Sequence, residues 1–251
     1  MDVYWLEQTE GDVLAANDWL SASEATCLNG MRFAKRRADW RLGRWTAKHA
    51  LASYLNVPVH PQALAEIEIR AAPSGAPEVF FANKPTAITV SLSHRAGSAL
   101  CAVAFSGAAL GCDLEIIEPR SDGFVADYFA PEEQALVADA SPPDRPRLVA
   151  LLWSAKESAL KALHVGLRLD TRYVIVSFVD VGRPAEGGEG RTEDPALAMR
   201  ASDGVNNWRP LHVRCVDGQL LHGWWHNTGH LLRSMVSAPP SAPPIPLRTP
   251  T

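Results

Sequence analysis

The sequence predicts an α+β protein of two similar α/β halves, each a long helix packed on a small, mostly antiparallel sheet, related by a pseudo-twofold axis. Three observations point there. Trp45-Thr-Ala-Lys48-His-Ala-Leu51 returns as Trp153-Ser-Ala-Lys156-Glu-Ser-Ala159, displaced by 108 positions. The same displacement carries the apolar alternation at Ile67 and Ile69 onto that at Tyr173 to Phe178. Strand-like runs then follow in each half, 87–92 matching 211–216 and 98–105 matching 219–226. Repeats of this kind fix architecture before any single element does.

Taken in order, a strand is expected at 3–6, then helices at Glu24 to Asn29 and Arg36 to Asn56, the second stopped by Pro58. Strands follow at 66–71, 87–92, 98–105 and 108–117, each rich in apolar or β-branched residues. The second half opens with helices at 131–139, where Pro131 suits a first turn, and at 144–163. Strands are expected at 172–179, 210–216 and 219–226. Residues 182–195 read as a polar, glycine-rich loop, and 239–251, with six prolines, as a disordered tail. The expected division is a first half over 1–110, a second over 111–230 and a Pro-rich tail over 231–251.

Of 251 residues, 47% are hydrophobic, enough for a substantial core. A net charge of −4 argues against a protein devoted to nucleic acid. No run of eighteen apolar residues occurs and the N-terminus has no basic leader, so neither a membrane span nor a signal peptide is expected, and the location expected is cytoplasmic. The four cysteines are scattered with no C-x-x-C, as packed, reduced thiols would be.

The chemistry concentrates in two places. On a helix Trp153, Glu157 and Lys161 stand one turn apart on one side. On a strand Asp113 and Glu115 point to the same face. Three carboxylates and a lysine that converge suit a hard divalent cation and phosphate chemistry. The plainer reading is a solvated strand face and a helix laced by i,i+4 ion pairs. Arg37, Arg41, Arg44 and Lys48 fall within about 60° on a helical wheel. Arg32, Lys35 and Arg36 add charge at its start, and Asp39 is the one acid among them. That stripe asks for an anionic partner, a small polyphosphate ahead of a solvated face or nucleic acid. His222, His226 and His230 are spaced by four, but Gly223, Trp224-Trp225 and Gly229 disfavour a helix, so they read as structural rather than as a zinc site. Neither a G-x-S-x-G elbow nor a phosphate-binding G-x-x-x-x-G-K-[ST] loop is present.

Gly111-Cys-Asp113-Leu-Glu115 and Trp153-Ser-Ala-Lys156-Glu157-Ser-Ala-Leu-Lys161 resemble the G-x-D-x-E and W-x-x-K-E-x-x-x-K signatures of the 4′-phosphopantetheinyl transferases. The likeness is to the long, single-chain, surfactin-synthetase-activating type. The basic segment Arg32 to Lys48 with Leu42-Gly43-Arg44, the Ser91-Leu-Ser93-His94 turn and Phe129-Ala-Pro-Glu132-Glu133 extend it over roughly residues 30 to 180.

The resemblance implies that family's two-lobed fold, with the active site in the cleft between halves. It implies transfer of the 4′-phosphopantetheine arm of coenzyme A to a serine of an apo acyl or peptidyl carrier protein, a holo-acyl-carrier-protein synthase reaction. Mg²⁺, with Mn²⁺ an acceptable substitute, is expected on Asp113, Glu115 and Glu157. Glu157 is the first candidate for the base and Glu133 the second, with Lys161 serving the departing phosphate. Coenzyme contacts are expected from Arg32, Lys35 or Arg36, Lys48, Arg70, Ser93, His94, Lys156 and Lys161. In the nucleotide-side loop Gly75-Ala-Pro77, Ala76 replaces the family's usual basic residue. The expected molecule is a monomer that binds neither nucleic acid nor membrane. The alternatives are another Mg²⁺-dependent phosphoryl or nucleotidyl transferase, or a non-catalytic anion-binding module.

Overall fold

A computed structural model describes residues 1–105, 107–178 and 208–248. The expected glycine-rich loop at 182–195 lies outside them. Two sheets carry the fold. The first half runs β1 (Tyr4–Thr9), α1 (Ala22–Asn29), α2 (Ala34–Leu55), α3 (Pro61–Glu66), β2 (Ile67–Ala71), β3 (Pro77–Phe81), β4 (Lys84–Arg95) and β5 (Ser98–Phe105). The second runs β6 (Ala109–Ile116), α4 (Asp122–Tyr128), α5 (Pro131–Asp139), α6 (Arg145–Ala162), β7 (Val174–Phe178), β8 (Arg209–Cys215), β9 (Leu220–Thr228) and β10 (Leu231–Ala238). A final short strand, β11 (Ile245–Pro246), returns to the first sheet.

The orders are β11-β1-β5-β4-β3-β2 and β6-β10-β9-β8-β7. Apart from β11 the two are one topology, with β1 matching β6, α2 matching α6 and β2 to β5 matching β7 to β10. Within each half every strand pair is antiparallel. The strand matching expected from sequence is therefore shifted: 98–105 corresponds to 231–238, not to 219–226. The cause is two strands that the sequence pattern does not reveal. One is β3, whose pairing has a register shift, and the other is β10, which lies in the stretch expected to be tail.

Apolar faces decide the layering. Trp45, Leu51, Ile67, Ile69, Val90 and Val103 fill the core between α2 and the first sheet. Leu148, Leu151, Leu152, Val176, Leu211 and Val236 do the same beneath α6. A third core, with Leu100, Ala102, Leu110, Cys112, Leu114 and Met235, joins the sheets. Because strand side chains alternate, Leu110, Cys112 and Leu114 face this third core while Asp113 and Glu115 point away from it.

The repeat is also electrostatic. Glu24 accepts from the Ser21 amide at 3.1 Å, capping α1, and from the Ile69 amide of β2 at 3.2 Å. Lys48 reaches Glu24 at 2.6 Å and donates to the Leu64 and Ile67 carbonyls. In the second half Glu133 accepts from the Ala130 amide at 2.8 Å and the Val176 amide at 2.9 Å. Lys156 reaches Glu133 at 2.6 Å and donates to the Thr171 and Val174 carbonyls. Both lysines and Glu133 are fully buried. Lys48, Lys156 and Glu133 thus pin each long helix to its neighbours and cannot reach a ligand or take a substrate proton. The coenzyme contacts expected of the two lysines, and the base role expected of Glu133, are corrected on that ground.

The tail is corrected as well. Residues 239–248 run back along β1, with the Ile245 amide on the Val3 carbonyl at 2.9 Å and the Leu247 amide on the Trp5 carbonyl at 2.7 Å. Pro246 sits between these donors, where no amide hydrogen is needed, which is how an edge strand accommodates proline.

At Gly111 even a methyl side chain is sterically forbidden: a Cβ at this position would lie 1.7 Å from the Ser158 carbonyl oxygen of α6. Gly111→Ala therefore forces helix and strand apart at a cost of roughly 1–3 kcal/mol or more, measurable by urea unfolding. For the buried pair, Lys156→Ala should cost about 3–5 kcal/mol by leaving Glu133 uncompensated. Removing both charges together should cost less than the sum of the single losses in a double-mutant cycle.

Candidate active site

The close approach at Gly111 lays the last two turns of α6 on β6, and this brings the two sequence motifs together. Lys161 donates to Asp113 Oδ1 at 2.8 Å and to the Cys112 carbonyl at 3.0 Å. Trp153 Nε1 donates to Glu115 Oε1 at 3.2 Å, its ring held edge-on by Phe124 and Tyr128. Glu157 lies one turn from each. Its carboxyl is pushed above the usual glutamate range by burial first and then by the charge of Asp113, with Glu115 adding to it and Lys161 opposing. Burial and Asp113 push Glu115 the same way, against Arg95 and Arg120. For Lys161, burial is outweighed by Asp113 and its neighbours, and the ammonium is held more firmly protonated.

The three carboxylates therefore share one electrostatic region. Among the described residues, however, no three His, Cys, Asp or Glu side chains stand in ligating geometry. The reason is visible in the partners. Asp113 Oδ1 is occupied by Ser93 Oγ at 2.8 Å as well as by Lys161. Glu115 Oε2 faces Arg95 Nε at 3.5 Å and a terminal nitrogen of Arg120 at 3.7 Å. Yet Asp113 Oδ2 and Glu115 Oε2 are both buried without a hydrogen-bond donor. Two anionic oxygens left without donors suit a hard, oxygen-seeking cation, so the donor set fits Mg²⁺.

Beside this cluster a cavity of about 360 Å³ opens between the halves. Arg44, Arg70, Ser91, Lys161 and His164 line it, with the loop from Ser74 to Pro77. Three cationic side chains and no carboxylate line this cavity, each cation backed by a carboxylate outside the wall: Glu24 behind Arg44 at 3.7 Å, Glu68 behind Arg70 at 2.6 Å and Asp113 behind Lys161 at 2.8 Å. Lys161 belongs to both cavity and acidic cluster, so an anion in the first would touch the second.

Sequence-expected contacts divide sharply. Arg70 and Lys161 line the cavity, and Ser93 holds Asp113 instead of facing it. The Ser91 to His94 segment is not a turn but part of β4, and alternation leaves His94 exposed. Arg32, Lys35 and Arg36 are exposed outside the cavity wall, with Lys35 on Asp39 at 3.0 Å. Arg37 donates to backbone carbonyls at the end of α1 and just after it, and Arg41 to those of Leu14 and Ala15. Arg44, His164, Arg95 and Arg120 carry no individual role in the sequence motifs. Arg44 was legible in the basic stripe, and Arg120 follows the acidic pair closely, but nothing local marks Arg95 or His164. His222 and His226 lie on β9 and His230 just beyond it, as the absence of a helix there required.

Residues 109–209 match the model of the 4′-phosphopantetheinyl transferase superfamily. The matched segment contains Asp113, Glu115, Glu157 and Lys161. No curated protein matches the chain. Among solved structures, the chain is similar to Helicobacter pylori holo-[acyl-carrier-protein] synthase in complex with coenzyme A. Identity is 18%, coverage 41% of this chain and 99% of that one, and the TM-score 0.33. It is also similar to a Bacillus anthracis holo-(acyl-carrier-protein) synthase in complex with CoA (3′,5′-ADP), with identity 18%, coverage 41% and 92%, and a TM-score of 0.34. Among the described residues no helix is long and apolar enough to cross a membrane.

The raised Glu157 carboxyl carries a sign. A glutamate whose folded pKa exceeds its unfolded value favours the fold below the unfolded pKa, and that advantage is lost as pH rises through the folded one. At pH 7 the ionised carboxylate is thus a net cost. Glu157→Gln should raise the Tm in chelator-treated buffer at pH 7, and the gain should vanish near pH 4.

Proposed function

We propose that this chain is a 4′-phosphopantetheinyl transferase that moves the phosphopantetheine arm of coenzyme A onto a carrier-protein serine. The observation that carries this reading is the junction at Lys161, where a cationic cavity meets a cluster of three carboxylates. The superfamily match over 109–209 supports it.

Arg44, Arg70 and Lys161 would receive the nucleotide phosphates, since guanidinium groups hold phosphate oxygens in paired hydrogen bonds. The loop from Ser74 to Pro77 forms the opposing wall. Asp113 Oδ2, Glu115 Oε2 and Glu157 would hold Mg²⁺, which when bound neutralises the diphosphate and orients it. Trp153 and Ser93 fix the other oxygens of Glu115 and Asp113, so the ligating oxygens are aimed beforehand. The carrier serine oxygen attacks the phosphorus bearing the pantetheine arm. A new P–O bond forms, the diphosphate P–O bond breaks, and 3′,5′-ADP departs. Glu157, one turn before Lys161 on α6, takes the serine proton, directly or through water. Lys161, held protonated, stabilises charge on the departing phosphate. The carrier is an acyl or peptidyl carrier protein, and the surfactin-synthetase-activating type is the family branch proposed.

Incubating an apo carrier protein with coenzyme A, Mg²⁺ and this chain should produce the phosphopantetheine adduct, read by intact-protein mass spectrometry. Its absence across fatty-acid, polyketide and peptide carriers would sink the assignment. Asp113→Asn should lower turnover by roughly 10²-fold or more, the loss of several kcal/mol of charge stabilisation, with an unchanged far-UV spectrum.

A further inference from the structure

We propose that the divalent cation and the anionic co-substrate load this site cooperatively, because a side-chain cation already stands on each strand-borne carboxylate. Lys161 holds Asp113, and Arg95 and Arg120 together face Glu115. The inference rests on the transferase reading above and assigns Arg95 and Arg120, which have no other role there, as residues that gate the metal.

The two arginines come from different halves. Arg95 ends β4, and Arg120 follows β6. Both also hold Glu118 at the rim, Arg95 at 3.2 Å and Arg120 at 3.0 Å. Glu118 is 40% exposed, against 13% for Glu115. The guanidinium groups can therefore leave Glu115 without losing their other carboxylate. At 3.5 and 3.7 Å they neutralise Glu115 Oε2 without hydrogen-bonding to it, so this oxygen is screened but still without a donor. Oε1, fixed by Trp153, has no such freedom.

A dication that arrives alone meets three positive side chains around its intended ligands and must displace them unaided. A diphosphate that arrives with it changes the balance. Phosphate oxygens offer Lys161 a new partner and neutralise the excess positive charge left when the arginines and the metal share the site. Metal and anion then each favour the other's binding. Thermodynamic linkage requires the factor to be equal in both directions.

The test uses the intact chain with Mn²⁺ as the metal and coenzyme A as the anion. Free Mn²⁺ is followed by electron paramagnetic resonance, coenzyme A by calorimetry, and direct Mn²⁺–coenzyme A association is subtracted. Wild type should bind Mn²⁺ at least about tenfold more tightly with coenzyme A than without, and coenzyme A should gain by the same factor. Arg95→Ala with Arg120→Ala should bind Mn²⁺ alone about 5–10-fold more tightly and show reduced coupling. The corresponding lysine pair, which keeps the charge, should behave as wild type. Should the double variant misfold by circular dichroism, Arg120→Gln alone serves the same comparison. Equal Mn²⁺ affinity with and without coenzyme A in wild type overturns the inference, as does unchanged coupling in the alanine variant. Those outcomes leave the transferase reading standing if carrier modification is seen. Failure to bind coenzyme A under any condition overturns both.

Discussion

The contact between Gly111 and the Ser158 carbonyl is the constraint on which the site depends. A helix resting on a strand normally leaves room for a Cβ on each. Here that room is absent, and α6 sits closer to β6 than a Cβ would allow. Glu157 and Lys161 stand at either side of Ser158 in sequence, and Asp113 and Glu115 follow Gly111. Removing one methyl's width from the interface is what makes a 2.8 Å contact between Lys161 and Asp113 possible. The glycine's value here is size, since its backbone is not among those at positive φ.

Precision at that junction needs a rigid support, and the twin buried ion pairs supply it. Lys48 with Glu24 and Lys156 with Glu133 each tie a long helix, a preceding short helix and an outer strand into one hydrogen-bonded unit. Buried pairs often contribute little net stability against apolar substitutes. Their contribution is directional: every donor of the ammonium has a fixed acceptor, so the helix has one rotation that satisfies them. The second half then departs from symmetry. Where α2 carries His49, α6 carries Glu157, and His49 is packed inward on Trp45. The first copy of the repeat contributes cations to the cavity wall, Arg44 and Arg70, and the second carries the acidic cluster.

Much of this was legible in the sequence because the features were local. The two long helices, the D-x-E strand and the displacement of 108 are patterns within short windows. What failed was non-local. Lys48 and Lys156 looked like exposed cations because charge on a helix normally is, and only a glutamate a helix away reveals otherwise. Strand β3 escaped because its pairing with β4 carries a register shift, and β10 because it runs into a proline-rich stretch. Arg95 reaches Glu115 from the opposite half, a contact that no spacing rule encodes.

The pairing of β11 with β1 has a consequence for synthesis of the chain. Strand β1 leaves the ribosome long before its partner strand, and its outer edge is covered only when residues 245–247 emerge. Throughout translation of the second half, that edge offers unmatched amides and carbonyls to any passing strand. A nascent-chain chaperone, or a stalled ribosome, would therefore meet the first half in a state that the finished molecule never displays.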